Sequence, residues 1–162
     1  MLRNCAQYCL SAGDRLIVND DVFSWDDLPE SVAVFGPGVI GLELGQALHR
    51  LGVKVKMFGV GGGVGPLTDS IVRNYSAKTL GEEFYLNPDV KVEVMQREGD
   101  KVFIRYLDEA GSSQEIMVDY VLAATGRRPN VDRLGLENTS LVLDDRGVPP
   151  ATPNILTLTP SR

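Results

Sequence analysis

The segment Gly36-Pro37-Gly38-Val39-Ile40-Gly41 is where residue type and spacing point to chemistry. Three glycines in a GxGxxG arrangement suit a backbone that must come close to the pyrophosphate of a dinucleotide. Gly36 would permit a tight turn, and Gly38 would omit the side chain that keeps phosphates at a distance. Gly41, and Gly45 one turn later, would let the following helix lie close against a sheet. The first N–H groups of that helix, with its partial positive charge, would then face the phosphates. The pattern carries weight only between a buried strand and a helix, so the surrounding elements decide its meaning.

Those elements are legible. Val32-Ala33-Val34-Phe35 is an apolar run ending at glycine, which reads as a strand buried on both faces. Ile40, Leu44, Ala47, Leu48 and Leu51 then recur at three- and four-residue spacing, the pattern of a helix with one buried stripe. Gly52 closes it, and Lys54 to Phe58 reads as a second strand. Strand, helix and strand make a βαβ unit with a right-handed crossover. The run Gly59 to Gly65 holds no complete GxGxxG and reads as a mobile loop beside the adenosine end. Thr68 or Asp69 could cap a further helix running to about Glu82.

Beyond Asn87-Pro88 the pattern changes to alternation. Val90, Val92 and Val94 give one strand, Val102, Ile104 and Tyr106 a second, and Ile116 and Val118 a third, with glycine-bearing turns between them. Tyr120 to Ala124 is one more buried strand, aimed at Thr125-Gly126. The expected fold class is therefore α/β, a Rossmann-type parallel sheet with an inserted antiparallel β-meander. Residues 1–30 read as an irregular segment with one short apolar run, Leu16-Ile17-Val18, and an acidic patch from Asp20 to Asp27. Residues 31–126 form the dinucleotide-binding domain. Residues 127–162 follow as a separate segment, with poor order expected near the proline-rich end.

Composition narrows the function. A chain of 162 residues with 43% apolar and 23% charged residues suits one globular domain. The net charge of −6 and the lack of a Lys/Arg cluster argue against nucleic acid. No apolar run approaches the roughly 20 residues that cross a bilayer, and the start does not look like a secretory signal, so a cytoplasmic protein is expected. Cys5 and Cys9 provide neither a disulfide framework nor a metal site and read as thiols in a frayed terminus. His49 has no triad around it, and no catalytic residue is assigned. The position that should carry an acid for the ribose 2′-OH, about 20 residues past the first glycine, is Gly59. The loop to Pro66 holds no arginine for a 2′-phosphate either, so NAD is the default cofactor and the NAD or NADP preference stays open.

The stretch from Val34 to Gly45, followed by Leu51-Gly-Val-Lys-Val, resembles the nicotinamide domain of the pyridine nucleotide–disulfide oxidoreductases. Asp119-Tyr-Val-Leu-Ala-Ala-Thr-Gly-Arg-Arg-Pro-Asn130 resembles that family's second hallmark, where the chain returns to the flavin domain. This implies that residues 1–30 are a remnant of the flavin-domain linker and residues 127–162 the start of the returning flavin-domain segment. The resemblance covers about Leu16 to Pro149. It is strongest to the dihydrolipoamide dehydrogenase branch, with glutathione reductase-like and mercuric reductase-like enzymes sharing the layout. It implies that Gly36, Pro37, Gly38, Val39, Ile40 and Gly41 hold the pyrophosphate of NADH. It also implies that Glu43 faces the nicotinamide end and that Gly126 lies near the cofactor, while Gly59 is placed at the ribose end by register.

In the family, NADH reduces a flavin that exchanges electrons with an active-site disulfide, which oxidises dihydrolipoamide. FAD is expected only in the intact enzyme. The flavin-binding GxGxxG, the redox cysteine pair and the dimer domain's His–Glu pair find no match here, and Cys5 and Cys9 are not assigned the redox role. The chain alone is expected to be inactive. Its expected partners are the nicotinamide dinucleotide and the missing flavin and dimerisation domains, with self-association through apolar faces that have lost those partners. Two other readings stand beside this one: a flavin-binding domain of the same family, and a free-standing Rossmann module used for interaction without nucleotide.

Overall fold

The computed structural model describes residues 9–126, 130–131, 133–144 and 147–149. Its strands are β1 (Leu16–Ile17), β2 (Ser31–Phe35), β3 (Lys54–Phe58), β4 (Tyr85–Asn87), β5 (Lys91–Glu98), β6 (Lys101–Leu107), β7 (Ser113–Val118) and β8 (Tyr120–Ala123). Helix α1 (Val39–Arg50) joins β2 to β3, and α2 (Ser70–Glu83) joins β3 to β4. Five strands form a parallel sheet in the order β1-β8-β2-β3-β4, and β5-β6-β7 form a separate antiparallel sheet. The expected α/β class with a Rossmann-type sheet and an inserted meander is what the structure contains.

Alternation along the strands builds two cores. Val32 and Val34 of β2 join Val55, Met57, Leu122 and, from α1, Leu48 on one face of the parallel sheet. Ala33 and Phe35 turn to the other face and meet Phe58, Val121 and the meander residues Met95, Val102, Ile104 and Tyr106. All five residues of β2 are buried, as expected for a central parallel strand covered on both sides. The meander is thus the lid of one face, where a Rossmann fold would ordinarily carry helices.

A polar clasp ties the start of β2 and the start of β6 to the residue between β7 and β8. Asp119 Oδ2 accepts from the Ser31 amide at 2.9 Å and its hydroxyl at 3.0 Å, and Oδ1 pairs with Lys101 at 3.0 Å. Burial works against this carboxylate, but the donors from Lys101 and Ser31 outweigh it and hold Asp119 below its ordinary range.

Several expectations need correction. The segment read as irregular contains two 3₁₀ helices, Leu10–Arg15 and Asp21–Ser24, and a strand, β1, which pairs in parallel with β8. Cys9 is buried in the core beside Ala12, not exposed in a frayed end, while Cys5 lies outside the described residues. The stripe of α1 is also rotated from the expected one. Gly41, Gly45 and Leu48 are its buried residues, whereas Leu51 is 65% exposed. The glycines let the helix sit so near the sheet that small residues face it and the larger ones flank it.

Helix α2 begins where Asp69, not Thr68, caps it: its carboxylate accepts from the amides of Ile71 and Val72 at 2.9 and 3.0 Å. Residues 127–162 form a second compact unit; its described part includes a 3₁₀ turn at Leu136–Asn138 and a turn in which the Val148 amide donates to Asp144. Arg127, Arg128 and Pro129 of the second hallmark, and the proline-rich end from Pro150, lie outside the described residues.

Candidate functional site

At the C-terminal ends of β2, β3 and β8 the strands stop level with one another, because Phe35 pairs with both Phe58 and Ala123. The chain leaves β2 through Gly36, β3 through Gly59 and β8 through Ala124, and a cleft of about 480 Å³ opens between these exits. Ligands in open α/β sheets bind at this edge.

Gly36 makes the turn at φ 105°, and a Cβ there would stand 2.5 Å from the Ala124 carbonyl oxygen. Its amide donates to the Phe58 carbonyl at 2.8 Å, and the Ala124 amide donates to the Phe35 carbonyl at 2.7 Å. The floor of the cleft is therefore a set of three strand ends tied by hydrogen bonds, and only glycine fits at its tightest point.

Gly38 is the N-cap of α1 and has nothing within 4 Å of where a Cβ would stand, so its open side belongs to the cleft. The helix has no side-chain cap and no acid in its first turn. The bond from the Leu42 amide to the Gly38 carbonyl, 2.9 Å, starts the ladder, which leaves the preceding N–H groups without intrahelical partners. An anion fits that end of the helix, where the orphan donors and the helix dipole act together. Gly41 is buried, and a Cβ on it would collide with the Gly36 carbonyl oxygen, so the helix start is fixed against the turn that precedes it.

The candidate residues divide by position. Gly36, Pro37, Gly38, Gly59 and Gly126 line the cleft. Val39 and Ile40 form the start of α1, with Val39 51% exposed, and Gly41 packs behind them. Glu43 is exposed in the second turn of α1 and is not among the lining residues.

The sequence reading missed Phe58, Val60, Ala124 and Thr125 as lining residues and discounted Gly63 and Gly65. The glycine run is held in place: the Gly62 amide donates to the Pro88 carbonyl at 3.0 Å and the Gly65 amide to the Pro37 carbonyl at 2.7 Å. A third bond runs from the Gly61 amide to Asp89 at 2.7 Å. Nothing in the local sequence announces these bonds, since their acceptors lie up to 28 residues away. His49 sits against the Phe84 ring at 5.8 Å, a packing role. Among the described residues no group of three or more His, Cys, Asp or Glu is placed to hold a metal ion, and no helix is long and apolar enough to cross a membrane.

The family model for the pyridine nucleotide-disulphide oxidoreductases matches residues 11–159. The chain belongs to this family. Among curated relatives, the dihydrolipoyl dehydrogenase of Cupriavidus necator is 33% identical over 137 residues, which cover 83% of this chain and 28% of the relative. The mitochondrial dihydrolipoyl dehydrogenase of Caenorhabditis elegans is 30% identical over 151 residues, 91% of this chain and 30% of the relative. The chain thus spans less than a third of the length of these relatives.

Solved structures agree on the fold. A copper(II) complex of a variant of RclA, an HOCl-induced flavoprotein disulfide reductase from Escherichia coli, has a TM-score of 0.69 at 22% identity, over 85% of this chain and 30% of that one. LpdA from Mycobacterium tuberculosis has a TM-score of 0.66 at 25% identity, over 85% of this chain and 30% of that one.

Proposed function

We propose that residues 31–126 are the NAD(H)-binding domain of a flavin-dependent disulfide oxidoreductase of the dihydrolipoyl dehydrogenase type. The observation that carries this reading is the join of Gly36-Pro37-Gly38 to the uncapped start of α1, on the floor of a cleft at the C-terminal edge of a parallel sheet. That join offers backbone N–H donors and room, which is what a pyrophosphate requires. In this reading the amides at the start of α1 hold the phosphates, and Gly38 leaves space for them. Ala124, Thr125 and Gly126 border the cleft on the β8 side, and the Gly59–Gly65 loop borders it on the β3 side.

Bound NADH supplies a hydride to a flavin. The described residues of this chain supply binding and orientation, and no described side chain in the cleft is an acid, a base or a thiol. Lipoamide chemistry therefore belongs to parts of the enzyme other than residues 31–126, and the flavin and dimerisation domains are the proposed partners. Exposed apolar residues such as Phe23, Ile71 and Tyr75, each more than 70% exposed, supply surface for such contacts or for self-association.

The test is calorimetric titration of the purified chain with NADH, NADPH and FAD, repeated on Gly38→Ala. Heat with a nicotinamide dinucleotide that is lost in Gly38→Ala supports the reading. Binding of FAD instead replaces it with the flavin-domain reading, and binding of none of the three leaves an interaction module.

A further inference from the structure

The ribose acid expected at the end of β3 is missing, and the structure gives the reason. A Cβ on Gly59 would stand 2.6 Å from the Pro88 carbonyl oxygen and 2.7 Å from Pro37 Cγ. The exit of the neighbouring strand fills the space that an Asp or Glu at position 59 would need. The register of the next strand brings another acid to the same edge. Strand β4 runs parallel to β3 with Phe58 opposite Asn87, so Asp89 leaves the sheet on the same side, two residues past β4.

Its placement is fixed on both flanks. The Asp89 amide donates to Oδ1 of Asn87, a side chain only 4% exposed, at 3.0 Å. The next residue, Val90, is buried and donates its amide to the Gly59 carbonyl at 2.9 Å. Asp89 Oδ1 accepts from the Gly61 amide at 2.7 Å. Gly61 stands between Val60 and Gly63, which both line the cleft. Among the described residues no hydrogen bond or ion pair reaches the other carboxylate oxygen, Oδ2, and the side chain is exposed. The loop from Phe58 to Thr68 holds no lysine or arginine.

We propose that Asp89 is the residue that sets nucleotide specificity at this site. One carboxylate oxygen is held on the glycine loop. The other accepts a hydrogen bond from the 2′-hydroxyl of the adenosine ribose, and the charge repels a 2′-phosphate at the same place. The site then prefers NADH over NADPH although its β3 ends in glycine. The acid has moved from the end of one strand to the exit of the next, and the loop between them carries it to the same edge. This inference rests on the reading of the cleft as a nicotinamide dinucleotide site.

The experiment is titration of the whole chain, and of its Asp89→Asn and Asp89→Ala variants, with NADH and NADPH in parallel. Asparagine keeps an oxygen for the Gly61 amide and removes only the charge. The wild type is expected to bind NADH more tightly than NADPH. In Asp89→Asn the ratio of the two affinities should fall about tenfold, the size of one charge-assisted hydrogen bond. Asp89→Ala should lower that ratio as far and weaken both nucleotides further, because the loop loses its anchor.

A carboxylate that merely latched the loop would weaken NADH and NADPH alike. An unchanged ratio in Asp89→Asn therefore overturns the proposal, as does a wild type that shows no preference for NADH. If NADH binds and is lost in Gly38→Ala while the ratio ignores Asp89, only this inference fails. If the wild type binds neither nucleotide, the reading of the cleft fails and takes this inference with it.

Discussion

Helices α1 and α2 follow successive strands of one sheet, yet they are built on opposite plans. Helix α1 buries Gly41, Gly45 and Leu48 and leaves its first N–H groups without a side-chain cap. Helix α2 buries no residue, and its first amides are satisfied by Asp69. The difference lies in what stands at each amino end. A helix whose first donors carry no side-chain cap takes its position from packing, here through glycines pressed on the sheet. Helix α2, with no buried residue, takes an aspartate cap and relies on it. The contrast also separates two kinds of glycine in α1. Gly41 faces backbone, whereas a Cβ on Gly45 would meet the terminal methyl of Met57, which can swing away.

The largest effect should come from Gly41→Val. Its branched side chain would have to displace the Gly36 carbonyl, and overpacking of this kind costs about 3 kcal/mol or more. Thermal unfolding should show a large drop in midpoint, with nucleotide binding abolished. Gly45→Ala is the sharpening control: the gain in helix propensity of about 1 kcal/mol offsets the shift of Met57, so its midpoint should stay near wild type. If both variants lose stability equally, the distinction between backbone and side-chain neighbours is wrong.

Next in size is Gly38→Ala, which should leave the unfolding midpoint nearly unchanged yet weaken NADH about tenfold or more in titration, because the methyl enters space the pyrophosphate needs. Asp69→Ala should do the reverse. Loss of the cap costs α2 about 1 kcal/mol in chemical denaturation, with NADH affinity unaltered.

The smallest effect is at the tie between the two helices, where Glu83 of α2 accepts from Arg50 Nε at 2.6 Å and from Gln46 at 2.7 Å. The Arg50 hydrogen bond, with help from Gln46, holds the Glu83 carboxyl below its ordinary range. A depressed carboxylate stabilises the fold above its unfolded pKa, and that contribution disappears as pH falls through the lower folded value. Glu83→Gln should leave the midpoint at neutral pH almost unmoved and remove that part of the acid-side decline.

Sequence legibility followed how local the cause of each element was. The βαβ unit and the meander were readable as elements because their apolar residues recur, at three and four in α1 and at two in β6. The face of α1 was nonetheless displaced, and in β5 the register shift between Val92 and Val94 breaks the alternation and puts Met95 in the core. Strand β1 was not readable, since Leu16–Ile17 is too short for any period and exists through its pairing with Val121 and Leu122. Strand β4, three residues long, hid between the end of a helix and Asn87-Pro88 for the same reason. In the site, the glycines of the fingerprint announced themselves, because a backbone that must approach a ligand has a local signature. Asp89 did not, because its place depends on which strand lies beside β3. The register that brings Asn87 level with Phe58 is a property of the sheet.

The strand order has a consequence in time as well as in space. Strand β8 lies between β1 and β2, yet its residues come after the whole meander, and the clasp from Ser31 to Asp119 spans 88 positions. The hairpins β5-β6 and β6-β7 join neighbours in the chain and can close quickly, whereas the central seam must wait for a long loop to be drawn in. During synthesis, β1 has no strand to pair with until the last one emerges. Ala124 and Thr125, which complete the cleft, follow that strand directly. The cleft is therefore among the last features of the domain to form, and a chain halted before residue 120 would hold the fingerprint glycines without the wall they press against.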